Sequence, residues 1–264
     1  MEPFTITHIA SLVIAGFVAG VMNSIAGGGT LVTFPALILV GIPSIPANAT
    51  STVAHLPGTL SSVAGYRRNI PSVSRWLKLF APVSLVGGLA GGILLVQTPS
   101  RMFDSFVPFL ILFATILFMA QGVFGKLLMI RGETTQGRSQ SRNWIAGAVM
   151  FQFAVALYGG YFGAGIGILM LASLGMLGFE NVHEMNTLKV ILGFLINIVA
   201  AIYFISSGLI HWTAVVIMMI GTIAGGYTGA HFAQKIPQRI VRALISAIGL
   251  IISAVMFYKT FVSP

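Results

Sequence analysis

Apolar residues fill this chain in long unbroken runs, without the spacing of an amphipathic helix or the alternation of a half-exposed strand. Runs near 47–66, 76–97, 101–124, 184–206, 211–233 and 238–260 each match the roughly 20 residues that carry a helix across bilayer hydrocarbon. Two more, 5–41 and 143–178, are too long for one span, and glycines break both: "AGGG" at 26–29 and "GGYFGAGIG" at 159–167. After each break about a dozen apolar residues remain before a polar loop, "GIPSIP" or "GFENVHE". That is about 18 Å of helix, or half a bilayer. The pattern predicts an all-α polytopic membrane protein with 8 to 10 membrane segments.

The two broken runs begin matching halves. At a constant offset of 138, Ala26-Gly27 and Gly29 fall on Ala164-Gly165 and Gly167, and Asn48 falls on Asn186. "GGLAGG" at 87–92 falls on "GGYTGA" at 225–230, and "PSR" at 99–101 on "PQR" at 237–239. Glycine blocks and proline–arginine loops that keep one spacing indicate two tandem repeats, each a Gly-broken hairpin plus three transmembrane helices. The expected organisation is a first repeat at 1–124, a polar and cytoplasmic linker at 125–142, and a second repeat at 143–264.

Charge selects the topology. If each broken run crosses once, the repeats are parallel and nine Lys/Arg oppose four. If each is a hairpin, the repeats are inverted. Arg67, Arg68, Arg75, Lys78, Lys126, Arg131, Arg138, Arg142, Lys235, Arg239 and Arg242 then share one side, against Arg101 and Lys259. The second arrangement follows the positive-inside bias better and puts both termini outside.

Composition narrows the function. Of 264 residues 56% are hydrophobic and 7% charged, with mean hydropathy +0.97, where soluble domains carry about 25% charged residues. The start, "MEPFTITHIASLVIAG", has no basic n-region and reads as a first membrane segment. The net charge of +9 lies in loops without interleaved aromatics, so it sets orientation and does not imply nucleic-acid binding. Five carboxylates, no cysteine and no His/Asp/Glu cluster at metal spacing predict no enzyme, metal or cofactor.

Paired broken helices in inverted repeats are a transporter feature, with helix N-termini facing a substrate near the midplane. Gly27, Gly28 and Gly29, with Gly163, Gly165 and Gly167, are therefore candidate N–H donors. "GGLAGG" and "GGYTGA", in mid-span, read as helix-packing glycines. Asn48, Thr50 and Ser51 open one following helix; His183, Glu184, Asn186 and Lys189 open its counterpart. Asn186 and Lys189, three apart, share a face. Lys189 is the one basic residue well inside an apolar run, and an intramembrane cation is a functional candidate. His55, His183 and Glu184 are candidate proton carriers.

"GFVAGVMNSIAGGGTLVTFPALILVGIP…ANATS" and "GGYFGAGIGILMLASLGMLG…VHEMNTLK" resemble the TauE/SafE sulfite-exporter family, part of the toluene-sulfonate uptake permease superfamily, over roughly residues 10–258. The resemblance implies a bacterial inner-membrane transporter of sulfite, sulfonates or related anions. It carries over to Gly27, Gly28, Gly29, Pro35, Thr50 and Ser51, and to Gly160, Gly163, Gly165, Gly167, Asn186 and Lys189. "NS" at 23–24 departs from the smaller residues of many members. The expectation is thus a secondary exporter of a small sulfur-containing anion, working by alternating access with proton coupling, in contact with lipid and free to form a homo-oligomer. The alternative is a non-transporting membrane subunit or assembly factor, with the glycine segments packed dry and Lys189 ion-paired.

Overall fold

The computed structural model describes residues 4–25, 28–132, 142–176, 179, 181–232 and 238–262. Among them are ten α-helices and no strand: α1 (Ile6–Ile25), α2 (Thr30–Leu39), α3 (Ser44–Tyr66), α4 (Ile70–Gln97), α5 (Ser100–Gly132), α6 (Arg142–Tyr161), α7 (Ile166–Met176), α8 (Val182–Ser206), α9 (Trp212–Phe232) and α10 (Gln238–Phe257). In the anticipated linker, residues to Gly132 continue α5 and Arg142 opens α6, while 133–141 lie outside the described residues. By length and apolar content four described stretches can cross a membrane: Ile6–Asn23, Ser44–Gln97, Ser100–Leu117 and His183–Ser206. Within the second of these, a one-turn 3-10 helix at Arg67–Asn69 separates α3 from α4.

Both glycine breaks reverse the chain. A Cβ placed on Gly29 would lie 2.9 Å from the carbonyl of Ala19, ten residues back, so α2 returns along α1. A Cβ on Gly159 would lie 3.2 Å from Ile166 Cγ2, which places the start of α7 against the end of α6. With 10 and 11 residues, α2 and α7 are about 15 Å long, half a bilayer.

Contacts between helix ends fix the directions. The rings of Phe4 and His211, before α1 and α9, lie 5.0 Å apart, and the His211 N–H donates to Thr50 Oγ1 in the second turn of α3 at 3.1 Å. Ser44, opening α3, donates its hydroxyl to Asp104 in the first turn of α5. Phe109 of α5 meets Phe257, the last residue of α10, at 4.8 Å. One edge of the molecule therefore gathers the starts of α1, α3, α5 and α9 with the ends of α4, α8 and α10. Arg67, Arg68, Arg75, Lys78, Lys126, Arg131, Arg142, Arg239 and Arg242 lie on helix segments at the opposite edge, while Arg101 and Lys259 lie at the first. Arg138 and Lys235 are outside the described residues.

The helices pair across the two halves of the chain. Gly16 and Gly20 of α1 abut Gly221 and Gly225 of α9 so closely that a Cβ on Gly225 would come 2.0 Å from the Phe17 carbonyl. Gly87 and Gly91 of α4 meet α6 the same way, with a Cβ on Gly91 2.1 Å from the Leu157 carbonyl. Association in lipid gains nothing from hydrophobicity, so close backbone packing of small residues supplies the attraction. Moving five places along the element order turns the α1–α9 pair into α6–α4 and α3–α9 into α8–α4. The α3–α8 and α5–α10 pairs exchange onto themselves. Phe34, Phe103, Phe162 and Phe204 fill the largest buried cluster, beside the start of α3.

Candidate functional site

Each break is shaped by a few local contacts. At the first, Gly28 has φ 95°, a conformation that favours glycine. The Gly29 N–H then donates to Asn23 Oδ1 at 2.9 Å, which closes the turn from inside α1. Thr33 donates to the Gly29 carbonyl at 3.2 Å and shares a 2.7 Å hydrogen bond with Ser51, fastening α2 to α3. At the second, Gly163 and Gly165 have φ 81° and 79°, and the Tyr158 hydroxyl donates to the Ala164 carbonyl at 2.8 Å. The N–H groups of Thr30, Ile166 and Gly167, at the starts of α2 and α7, have no acceptor among the described residues. The first N–H groups of a helix lack intrahelical partners and carry its positive end.

Both breaks open onto one cavity of about 140 Å³. At roughly 30 Å³ per water, that is room for about five waters. Asn23, Gly28 and Thr30 line it from the first hairpin, and Gly163, Gly165, Ile166 and Gly167 from the second. From α3 come Thr52, His55, Gly58, Thr59 and Ser62, and from α8 Lys189, Val190, Gly193, Phe194 and Asn197. A Cβ on Gly58 or Gly193 would meet nothing within 4 Å, so both glycines widen the space.

Among the described residues, Lys189 is the one charged residue on this wall. Its stem passes Gly167, where an added Cβ would sit 3.3 Å from Lys189 Cδ. No hydrogen bond or ion pair engages Lys189 among the described residues, Glu184 included. His55 is 6% exposed; its Nδ1 lies 2.8 Å from the Ser51 carbonyl and its Nε2 has no partner among the described residues.

The anticipated site residues thus separate into groups. Gly28, Gly163, Gly165, Gly167, Lys189 and His55 line the cavity, and Gly29 lies directly behind its wall against His55. Gly27 is outside the described residues. Asn48, Thr50, Ser51 and Asn186 do not line the cavity. Asn48 is 1% exposed and donates to the Tyr161 carbonyl at 2.9 Å, tying α3 to the end of α6. Thr50 accepts from the backbone before α9, and Ser51 holds α2. His183 is exposed in the first turn of α8, where Asn181 caps its N–H at 2.9 Å, and Glu184 sits beside it. Sequence reasoning missed Asn23, Thr52, Thr59, Ser62 and Asn197. The spacing 52, 55, 59, 62 is a polar stripe on one helix face and was the available signal.

Apolar helices of membrane-crossing length, with two short helical hairpins framing a polar cavity among them, mark a multi-pass membrane protein. The chain belongs to the family described as Sulfite exporter TauE/SafE, which it matches over residues 12–256. It is similar to a "Probable membrane transporter protein" of Haemophilus influenzae, 27% identical over 251 residues, covering 95% of this chain and 94% of the relative. It also resembles "Probable membrane transporter protein YfcA" of Escherichia coli K12, 26% identical over 268 residues, covering 98% and 96%. A third relative, "Probable membrane transporter protein ORF9" of Sinorhizobium, is 27% identical over 256 residues, covering 95% and 92%. No solved structure matches the chain.

Proposed function

We propose that this protein is a secondary transporter of the bacterial inner membrane that exports a small sulfur-containing anion, such as sulfite or an organosulfonate. The observation that carries the reading is the ammonium of Lys189, unpaired among the described residues, on a cavity that no described carboxylate lines. An isolated intramembrane cation is unfavourable without a counter-charge, so it marks a place for an anion. The starts of α2 and α7 add N–H donors and two positive helix ends. The small volume suits an ion of a few heavy atoms and lies below the roughly 300 Å³ at which pockets for drug-sized ligands begin.

The two halves are inverted repeats. The exchange of helix pairs between halves supports this, as does the opposite direction of α1 and α6. The edge rich in Arg and Lys faces the cytoplasm, and both termini face outward. Alternating access then consists of rocking one set of helices against the other around the cavity. The sequence has no nucleotide-binding motif, so the drive is the proton gradient, with His55 the titratable candidate on the cavity wall.

The test is saturable uptake of labelled sulfite by proteoliposomes, with sulfonates and sulfate as competitors. Wild-type protein transports, and monodisperse Lys189→Ala protein does not. Equal flux in the two would remove Lys189 from the mechanism and the anion site with it.

A further inference from the structure

The two hairpins, α3 and α8 wall the cavity, and on one side of it they are fastened to one another. Thr33 of α2 shares a 2.7 Å hydrogen bond with Ser51 of α3. Asn48 of α3 donates to the Tyr161 carbonyl at the end of α6 at 2.9 Å. The rings of Phe34 and Phe162 meet edge to face at 5.3 Å between the hairpins. These contacts form a closed triangle of α2, α3 and the second hairpin, and Phe204 of α8 is buried in the same cluster. On α3 they precede Thr52, the cavity residue nearest the edge that carries Arg101 and Lys259. Thr52 stands eight residues after Ser44, about 12 Å along the helix.

Toward the Arg/Lys-rich edge the described residues form no such ring. From Ser44 to His55 every residue of α3 except Pro46 and Thr52 is buried, and from Leu56 to Tyr66 none is. The hydroxyls of Thr59, Ser61 and Ser62 bond to carbonyls of α3 itself. Among the described residues no hydrogen bond or ring contact ties 56–66 to another helix. A Cβ on Gly58 or Gly65 would meet nothing within 4 Å. Thr59 and Ser62 carry the cavity wall to within four residues of the end of α3.

We infer that this is the conformation open toward the Arg/Lys-rich edge, and that the Phe34–Phe162 contact is the gate closing the site on the other side. The inference rests on the transport reading and deepens it, since an exporter loads from the cytoplasm and releases where these rings part. Of the three sides of the triangle, the ring pair is the one without a hydrogen bond. It therefore opens and recloses without leaving a buried donor or acceptor unpaired.

The experiment places one cysteine, Thr52→Cys, in the cysteine-free chain. Its modification by the small impermeant anion 2-sulfonatoethyl methanethiosulfonate is timed in right-side-out and inside-out membrane vesicles. Ser72→Cys, exposed at the Arg/Lys-rich edge, marks which face is which. Along α3, Thr52 lies nearer the opposite edge, so distance alone favours reaction from there. The expected result is the reverse, at least about tenfold faster modification from the Ser72 face, because an alternative conformation holds roughly 0.1–10% of the population. Phe34→Ala in the same background should raise the opposite-face rate by about tenfold or more as that minor state gains population. Equal rates from the two faces, a faster rate from the opposite face, or no modification from either would overturn the inference. An unchanged opposite-face rate in folded Phe34→Ala protein would overturn the gate. The Thr52→Cys comparison decides even if Phe34→Ala does not fold. Labelling needs no substrate, so its failure leaves the anion reading standing. Absence of anion flux beside one-sided labelling would overturn that reading and leave the one-sided opening.

Discussion

Adjacent glycines in the middle of α9 differ sharply in what surrounds them. A Cβ on Gly225 would stand 2.0 Å from the Phe17 carbonyl, and one on Gly226 would meet nothing within 4 Å. Gly225→Ala and Gly226→Ala gain the same helix propensity, about 1 kcal/mol, so their difference reports packing. To restore ordinary contact, α1 and α9 must separate by more than an ångström. A gap of that size forfeits a quarter to a half of each dispersion contact, and contacts of roughly 0.1–0.2 kcal/mol number in the tens along such a seam. The loss is about 3 kcal/mol, at the top of the range for overpacked cores. For a chain of this size that is roughly 10 °C in apparent Tm. Heating detergent-solubilised protein and following the monodisperse fraction by size exclusion measures it. Gly226→Ala should match wild type or exceed it slightly. If both variants melt within about 2 °C of wild type, the backbone-contact account of the α1–α9 seam is wrong.

Four further outcomes are expected. Gly29→Ala, whose methyl would sit 2.9 Å from His55 Nε2 and 2.8 Å from Asn23 Nδ2, should push both cavity-lining side chains aside and lower transport by about tenfold or more in protein that still purifies as a single species; wild-type flux would show that the close packing at Gly29 does not shape the site. Asn48→Leu removes the bond to the Tyr161 carbonyl and should lower stability by about 1–3 kcal/mol with KM unchanged, and a raised KM would put Asn48 in contact with substrate. The chain has no cysteine, so single-cysteine variants at exposed Ser72 and Ser207 should react with impermeant maleimide from opposite faces of the membrane, the cytoplasmic one for Ser72; labelling from one face would end the inverted reading. A double-mutant cycle on the buried Gln152–Ser84 pair, 2.9 Å apart between α6 and α4, should give a coupling of about 0.6 kcal/mol and not above about 1.7.

Helix existence was legible because hydrocarbon leaves a backbone few choices. Apolar runs bounded by Pro, Gly and Arg gave α3, α8 and α9 within a few residues, and glycine clusters marked both reversals. The cavity was half legible. Lys189 stood out because a charge in an apolar run has no bland neighbours to hide among. Asn48, Thr50 and Ser51 carry the same kind of signal yet bond to other helices, at Tyr161, His211 and Thr33. In a bilayer the lipid-facing and protein-facing sides of a helix are both apolar. Sequence therefore shows that a polar residue needs a partner but does not show whether the partner is a backbone or a ligand. Thr59, Ser62 and Asn197 escaped for the converse reason, since small neutral residues are common in packed helices and become informative only once the rotation of α3 and α8 is known.

The crossed pairing of α1 with α9 and α4 with α6 has a consequence for what counts as a part of this molecule. The polypeptide divides between α5 and α6, but neither five-helix length owns a complete glycine seam. Each hairpin is clasped by a helix from the other length, as in two hands with interlaced fingers. A single five-helix length on its own would leave its glycine ridges facing lipid with nothing to grip, whereas two lengths supplied as separate chains could still find each other. On the transport reading proposed above, any bodies that rock would accordingly be mosaics of both halves, with the α3–α8 contact running between the halves beside the cavity.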